Sequence, residues 1–394
     1  MDRKVLLASF IILTVVFGSP CKDAAAASPY VRWKNGPSHK DDFFPIAVWL
    51  QDPRKAAQYK AAGFNTYVGL WKGPTEEQLA ELKKADMKVI CHQNEAGLRH
   101  VDDPTIIGWM HGDEPDNAQS LGNGKGYGPP ILPEKIIEDY QKIRSADSTR
   151  PVILNLGQGV AWDGWHGRGV RTNHPEDYSE YVKGCNVASF DIYPVVHSKP
   201  EVAGRLWYVA GGVERLVRWT DAKKVVWNCI ECTHINNPKN KPTPHQVRCE
   251  VWMSVIHGSM GLIYFVHEWE PKFNESALLS DAQMLASVAA INRQVIELAP
   301  VLNSPAIADE VYVSSQNKDV PVAAMTKDYE GAFYIFAVGM RDGQTNAKFS
   351  VQGLKGEKPV EVLGENRTII SKDGLFEDSF NIYDVHLYRI HRER

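Results

Sequence analysis

The chain has 394 residues, 43% of them hydrophobic and 23% charged, the balance of a globular protein long enough for one large α/β domain and a smaller companion. A formal net charge of −4 supplies no basic field for gripping a phosphate backbone, so nucleic acid is excluded as an expected partner.

The first 27 residues have the form of a secretory signal. Arg3 and Lys4 give the positive start, Val5 to Phe17 the apolar run, and Ala24 to Ala27 the small residues for cleavage near Ala27. This predicts a secreted or periplasmic protein. The apolar run is too short to span a bilayer and no later stretch is long enough, so stable membrane insertion is not expected. Pro20 directly before Cys21 argues against lipid anchoring at that cysteine. Beyond the signal, Cys91, Cys185, Cys229, Cys232 and Cys249 remain, an odd set that reads as buried thiols with at most one or two bridges.

After a polar lead (Ser28 to Lys40), short apolar runs alternate with helical patterns. The runs are Phe44–Leu50, Asn65–Leu70, Lys88–Gln93, Ile106–His111, Pro151–Leu156, Asn186–Tyr193, Lys224–Ile230 and Gly261–His267. Several are continuously apolar, as parallel strands covered on both faces must be. Helices are predicted over Pro53–Ala62, Thr75–Ala85, Glu134–Ser145, Val202–Trp219, Pro244–His257 and Ser280–Leu298, with Thr75 as an N-cap and Pro133 opening a first turn. Eight strand–helix units predict a (β/α)₈ barrel over residues 28–304, and no glycine fingerprint follows the first strand to suggest a dinucleotide fold. Beyond Pro305 the pattern changes to short β-rich runs. Val311–Ser314, Val322–Met325, Ala332–Val338, Ala347–Val351, Val360–Leu363, Thr368–Ser371 and Val385–Ile390 predict a small antiparallel β-sandwich over residues 305–394.

Barrel sites form at the C-terminal ends of the strands. There the sequence places Trp49, Trp71, His92, the run His111-Gly112-Asp113-Glu114-Pro115-Asp116, Asn155, Asp191-Ile192-Tyr193, Glu231 and His267-Glu268-Trp269. Glu114 follows the fourth strand and Glu231 the seventh, which lets two carboxyl groups approach one bond from opposite sides. Glycosidic cleavage needs such a pair: one group protonates the leaving oxygen, the other attacks or activates water. The eleven Trp and fifteen Tyr are mostly core, but flat rings at strand ends also suit the apolar faces of pyranoses.

On these residues, a Glu-Pro after strand four and a Glu after strand seven, the chain resembles the clan A glycoside hydrolases. That resemblance implies a retaining mechanism with Glu114 as acid/base and Glu231 as nucleophile. It also implies Tyr193 beside the nucleophile and Trp269 as a floor under the sugar. Trp49, Trp71, His92, Asp113, Asn155 and Asp191 complete the expected carbohydrate site, with no cofactor and no metal. The chain departs from the clan at Asp113, where the clan carries Asn. Asp cannot donate a hydrogen bond when ionised, its charge raises the pKa of a neighbouring acid, and the roles of Asp113 and Glu114 become partly exchangeable.

The same departure keeps a second reading open, a non-catalytic carbohydrate-binding protein on a degenerate barrel. A third would use Cys232, His234, His245 and Cys249 as metal ligands for a hydrolase. Trp162 and Trp165, in a glycine-rich loop after strand five, are further sugar-contact candidates. Lys125, Arg168, Arg171 and Lys199 read as ordinary surface charge near the mouth rather than as readers of an anionic polysaccharide.

Overall fold

The computed structural model describes residues 28–308 and 310–392, so the signal-like segment and Cys21 lie outside the described residues. Eight parallel strands are present: β1 (Ile46–Trp49), β2 (Thr66–Val68), β3 (Lys88–His92), β4 (Ile106–Met110), β5 (Val152–Leu156), β6 (Val187–Phe190), β7 (Val225–Val226, resuming as Asn228–Glu231) and β8 (Leu262–Phe265). β1 pairs with both β2 and β8, while the first part of β7 pairs with β6 and the second with β8. At the break, the Trp227 N–H still donates to Ala188 O at 2.9 Å. The ring of strands therefore closes.

Alternation along the strands divides the core in two. Ala47, Ile90, Ile153, Val187, Cys229 and Ile263 fill the barrel interior, while Ile46, Val48, Tyr67, Val89 and Trp109 pack outward under the helices. The segment read as a polar lead plugs the lower end of the barrel. Tyr30 and Trp33 are buried there, and the Tyr30 hydroxyl accepts from Trp227 Nε1 at 2.9 Å while donating to Met260 O at 2.7 Å.

The helices are α1 (Ala56–Ala61), α2 (Glu76–Lys84), α3 (Glu95–Arg99), α4 (Pro133–Ala146), α5 (Tyr178–Tyr181), α6 (Trp207–Trp219), α7 (Pro244–Ile256), α8 (Ala277–Ser280), α9 (Ala282–Glu297) and α10 (Ala299–Asn303). Thr75 caps α2 through a reciprocal box with Gln78, and Thr243 caps α7 with Gln246 in the same way. The helix predicted from Val202 starts at Trp207, because Gly204, at φ 74°, turns the chain before it. α7 has no polar stripe, and every residue from Cys249 to Ile256 is buried.

The C-terminal strands are β9 (Val311–Ser315), β10 (Val322–Tyr329), β11 (Ala332–Gly339), β12 (Thr345–Val351), β13 (Glu357–Val362), β14 (Arg367–Lys372), β15 (Leu375–Phe380) and β16 (Val385–His391), all antiparallel. Their order is β9-β12-β15-β14-β13-β16-β11-β10, and the two end strands come together, so the sheet folds over on itself as a sandwich. Its core holds Phe349 stacked on Phe376 with centroids 4.6 Å apart, and Tyr388 edge-on to both. Sequence reading missed β15. The inward position between Phe376 and Phe380 is Asp378, whose carboxylate receives Arg367 at 2.7 and 3.0 Å and the Tyr388 hydroxyl at 2.9 Å. A paired charge there hides the apolar alternation. α7 carries the sandwich against the barrel: Trp252 stacks on Phe336 at 5.3 Å, and Arg248 Nη1 donates to Val385 O at 2.8 Å.

Candidate active site

A cleft of about 790 Å³ opens at the C-terminal ends of the strands. Three carboxyl groups lie in it: Asp113 and Glu114 after β4, and Asp191 after β6. The Glu114 N–H donates to Asn155 O at 3.1 Å, and its backbone sits at φ 42°, in the left-handed region. Leu50 (φ 46°) and Ile235 (φ 53°), which also line the cleft, share that conformation. For a β-branched residue such as Ile235 it is a true outlier, and strain of this kind, of order 1–3 kcal/mol per residue, concentrates at functional sites.

Each carboxyl group has its own support. Glu114 Oε2 accepts from Asn117 Nδ2 at 2.9 Å, and Asn117 Oδ1 accepts in turn from Trp165 Nε1 at 2.9 Å. Gly157 leaves room for this chain: a Cβ there would stand 2.8 Å from Asn117 Nδ2 and 3.0 Å from Glu114 Oε1. Asp113 Oδ1 accepts from Asn155 Nδ2 at 2.9 Å, and Asn155 Oδ1 accepts from Ser189 Oγ at 2.8 Å. Asp191 is held by its N–H donating to Leu156 O at 3.1 Å, and its Oδ1 has no hydrogen-bond partner. Beneath them the fully buried Asp116 ties the loops after β4 and β5 together, accepting from the Gly157 N–H at 2.9 Å and the Tyr178 hydroxyl at 2.8 Å.

Withdrawal from bulk water raises the pKa of all three groups. Glu114 goes furthest, well above the usual carboxylate range, because the charge of Asp191 adds to its burial and the two share a hydrogen bond. That same bond favours the ionised form of Asp191. Glu114 is thus the proton-holder and Asp191 the acceptor. Burial raises the pKa of Asp113 to about 7, and the hydrogen bond from Asn155 Nδ2 works against that rise.

Aromatic rings wall the cleft. On the β8 side Trp269 stacks on Phe265 at 5.6 Å and on His267 at 5.7 Å, with Phe273 beyond. Across the barrel Trp165 lies 6.3 Å from Trp162, which meets His197 edge-on at 5.5 Å. Burial lowers the pKa of His267 to about 4 and lowers that of His197, so both rings are neutral at neutral pH. Among the described residues that line the cleft there is no Lys or Arg.

Of the residues expected in the site, Trp49, Trp71, Asp113, Glu114, Asp191, Tyr193 and Trp269 line the cleft. Asn155 does not; it lies behind Asp113, 5% exposed. His92 is exposed at the end of β3 but outside the lining. The main correction concerns Glu231. Its side chain does not reach the cleft: it is wholly buried, accepting from the Val195 N–H at 2.6 Å and the Val196 N–H at 3.1 Å, with Glu250 of α7 as a neighbouring carboxyl group. A carboxyl group sealed behind the loop that follows β6 cannot touch a substrate in the cleft.

The metal reading also fails on geometry. His234 Nδ1 is engaged by Asn237 O and Asn240 O, His245 Nε2 lies 2.8 Å from Ile382 O, and no group of potential ligands converges among the described residues. All five described cysteines are free and buried. Arg168, expected at the surface, is buried against Asp177 at 2.7 Å. Sequence reading left out Gln158, His166, His197, Asn236, Phe265 and Phe273 as lining residues. Gln158 lies two residues past the end of β5 and was within reach of the strand-end argument. His197 and Asn236 sit in loops whose path no local pattern gives.

No protein-family model and no curated protein sequence matches the chain. Solved structures do. A maltogenic α-amylase from Thermotoga neapolitana has 7% identity and a TM-score of 0.53, over 90% of this chain and 99% of that one. A structure described as a putative α-galactosidase from Bacteroides fragilis has 10% identity and a TM-score of 0.52, over 90% and 81%. A β-L-arabinopyranosidase from Geobacillus stearothermophilus, bound to arabinose, has 11% identity and a TM-score of 0.50, over 94% and 100%. At such identities the likeness is one of fold: a (β/α)₈ barrel followed by a β-sandwich.

Proposed function

We propose that this protein is an exported glycoside hydrolase in which Glu114 is the general acid/base and Asp191 the second carboxyl group, acting as nucleophile. The observation that carries the reading is the placement of Glu114 against Asp191, within hydrogen-bonding reach, on the floor of an aromatic-walled cleft. Glycosidic cleavage asks for one carboxyl that holds a proton at neutral pH and one that is ionised, and the environment pushes the two apart in that sense. A pair within hydrogen-bonding reach is closer than the roughly 5–5.5 Å of retaining enzymes and the roughly 6.5–9.5 Å of inverting ones, so a bound sugar must part the two carboxyl groups; retention is the outcome that the clan resemblance favours. Asp113 sits beside the pair where the clan carries a sugar-contacting Asn, and Trp269 and Trp165 offer stacking surfaces. The solved structures named as glycosidases agree with this reading at the level of fold. Export rests on the signal pattern of residues 1–27.

The test is a hydrolysis screen over a polysaccharide and oligosaccharide panel, with Glu114→Gln and Asp191→Asn as controls. Turnover that both variants lose while the folded proteins still bind sugar supports the assignment. Sugar binding without turnover by the wild type would favour a carbohydrate-binding protein instead.

A further inference from the structure

The cleft's charge is one-sided, and this bears on the substrate class. Resting on the glycosidic reading above, we infer that the cleft selects neutral or amino-bearing glycans and rejects those carrying carboxylate or sulfate groups. Three carboxyl groups line it, with no Lys or Arg among the described lining residues. Two of the three lining histidines, His267 and His197, cannot supply the missing charge. His267 is 2% exposed and its Nδ1 has no partner, while His197 Nε2 lies 2.9 Å from Gln158 Oε1 in a buried contact, and burial keeps both rings neutral.

The arginines of the loop after β5 are already used. Arg168 and Arg171 both close on Asp177, away from the cleft. Lys72, Lys199 and Lys272 are chain neighbours of lining residues but do not line the cleft themselves. An anionic sugar entering this site would leave water for a space lined by carboxyl groups and by no Lys or Arg among the described residues, an arrangement that discriminates against such a ligand. A neutral ring loses only hydroxyl hydration, which Asp113, Asp191 and Asn236 can replace, and gains contact with Trp269 and Trp165. An ammonium substituent would find carboxylates already in place.

The experiment measures binding of the full-length wild-type chain and of Glu114→Gln to a glycan array. The array contains matched oligosaccharides that share backbone and linkage but carry a hydroxymethyl, an amino or a carboxylate group. The expected result is that every bound series ranks its neutral or amino member at least about tenfold above the carboxylate member at neutral pH. That gap should shrink as salt is raised. Equal or tighter binding of carboxylate or sulfate members overturns the charge selection while leaving the glycosidic reading intact. Binding of no glycan by either protein overturns the glycosidic reading and this inference with it. Asp113→Asn provides the second check. If the wall charge sets the preference, this variant narrows the gap between matched members; an unchanged gap refutes that cause.

Discussion

Glu231 at the end of β7 and Glu250 on α7 are both wholly buried, and their carboxyl groups lie close enough to act on each other's charge where solvent does not reach. Both oxygens of Glu231 also receive backbone N–H groups, from Val195 and Val196. The pair therefore clamps the segment that carries Val196, His197 and Ser198 into the cleft wall. Like charges so close cannot both ionise, and Glu250 keeps its proton well above the ordinary range.

Replacing Glu231 by Leu should destabilise the fold by about 2–5 kcal/mol, because two buried N–H groups lose their acceptor. Glu250→Gln keeps the size of the side chain beside Glu231 and should cost no more than about 1 kcal/mol. Hydrogen exchange at the Val195 and Val196 amides separates the two variants. Protection should fall in Glu231→Leu and persist in Glu250→Gln; equal protection in both would remove the clamp.

The pair also predicts a pH dependence of stability. Both pKa values are raised in the folded state, by burial first, so the folded protein holds protons that the unfolded chain releases. The stabilising contribution is full below the unfolded carboxylate value of roughly 4.3 and drains away as pH rises through the raised folded values. Denaturant unfolding at a series of pH values should show the wild type losing stability toward neutral and alkaline pH. Glu250→Gln should lose less. A wild type whose stability climbs with pH over that range would contradict the raised values.

For the proposed chemistry, Glu114→Gln and Asp191→Asn should each lower kcat by about 10²–10⁴-fold with little change in sugar affinity. The acid limb of kcat/KM should report the pair and lie above the ordinary carboxylate range, since the pKa of each group is raised. An acid limb at the position of a free carboxylate would argue that neither group is essential.

Gly157→Ala tests the support of Glu114 without replacing it. The glycine has φ −81°, which alanine adopts freely, so the backbone is unstrained. Its Cβ would press on Asn117 and Glu114 Oε1 at 2.8–3.0 Å. The expected outcome is a loss of kcat with near-normal thermal stability; unchanged kcat would show that Glu114 tolerates displacement.

The barrel was legible because parallel strands covered on both faces leave continuous apolar runs, and all eight runs hold a strand. Strand-end placement also found Asp113, Glu114, Asp191 and Trp269, since the fourth, sixth and eighth strands stop at Met110, Phe190 and Phe265, close to the ends of their apolar runs. It misplaced Glu231 for a physical reason. A carboxyl group at a strand end can turn to the cleft or be captured by neighbouring backbone, and the captor here is a loop 35 and 36 residues earlier in the chain. One signal was present in the sequence: Glu250 stands alone in the apolar run Cys249–Ile256, and a buried acid requires a partner. The sandwich strand β15 was hidden in a similar way by Asp378, whose partner Arg367 lies on the adjoining strand.

The burial of α7 on every side has a consequence for how the protein comes apart. Trp252 is covered on its outer side by Phe336, and Arg248 is tied to the chain at Val385, so the sandwich serves as part of the barrel's own wall. Severing the polypeptide after residue 304 would strip that cover and leave an oily face on the remaining piece. Calorimetry of the intact protein should accordingly record a single cooperative melt, and the barrel fragment expressed alone should precipitate rather than behave as a transferable module.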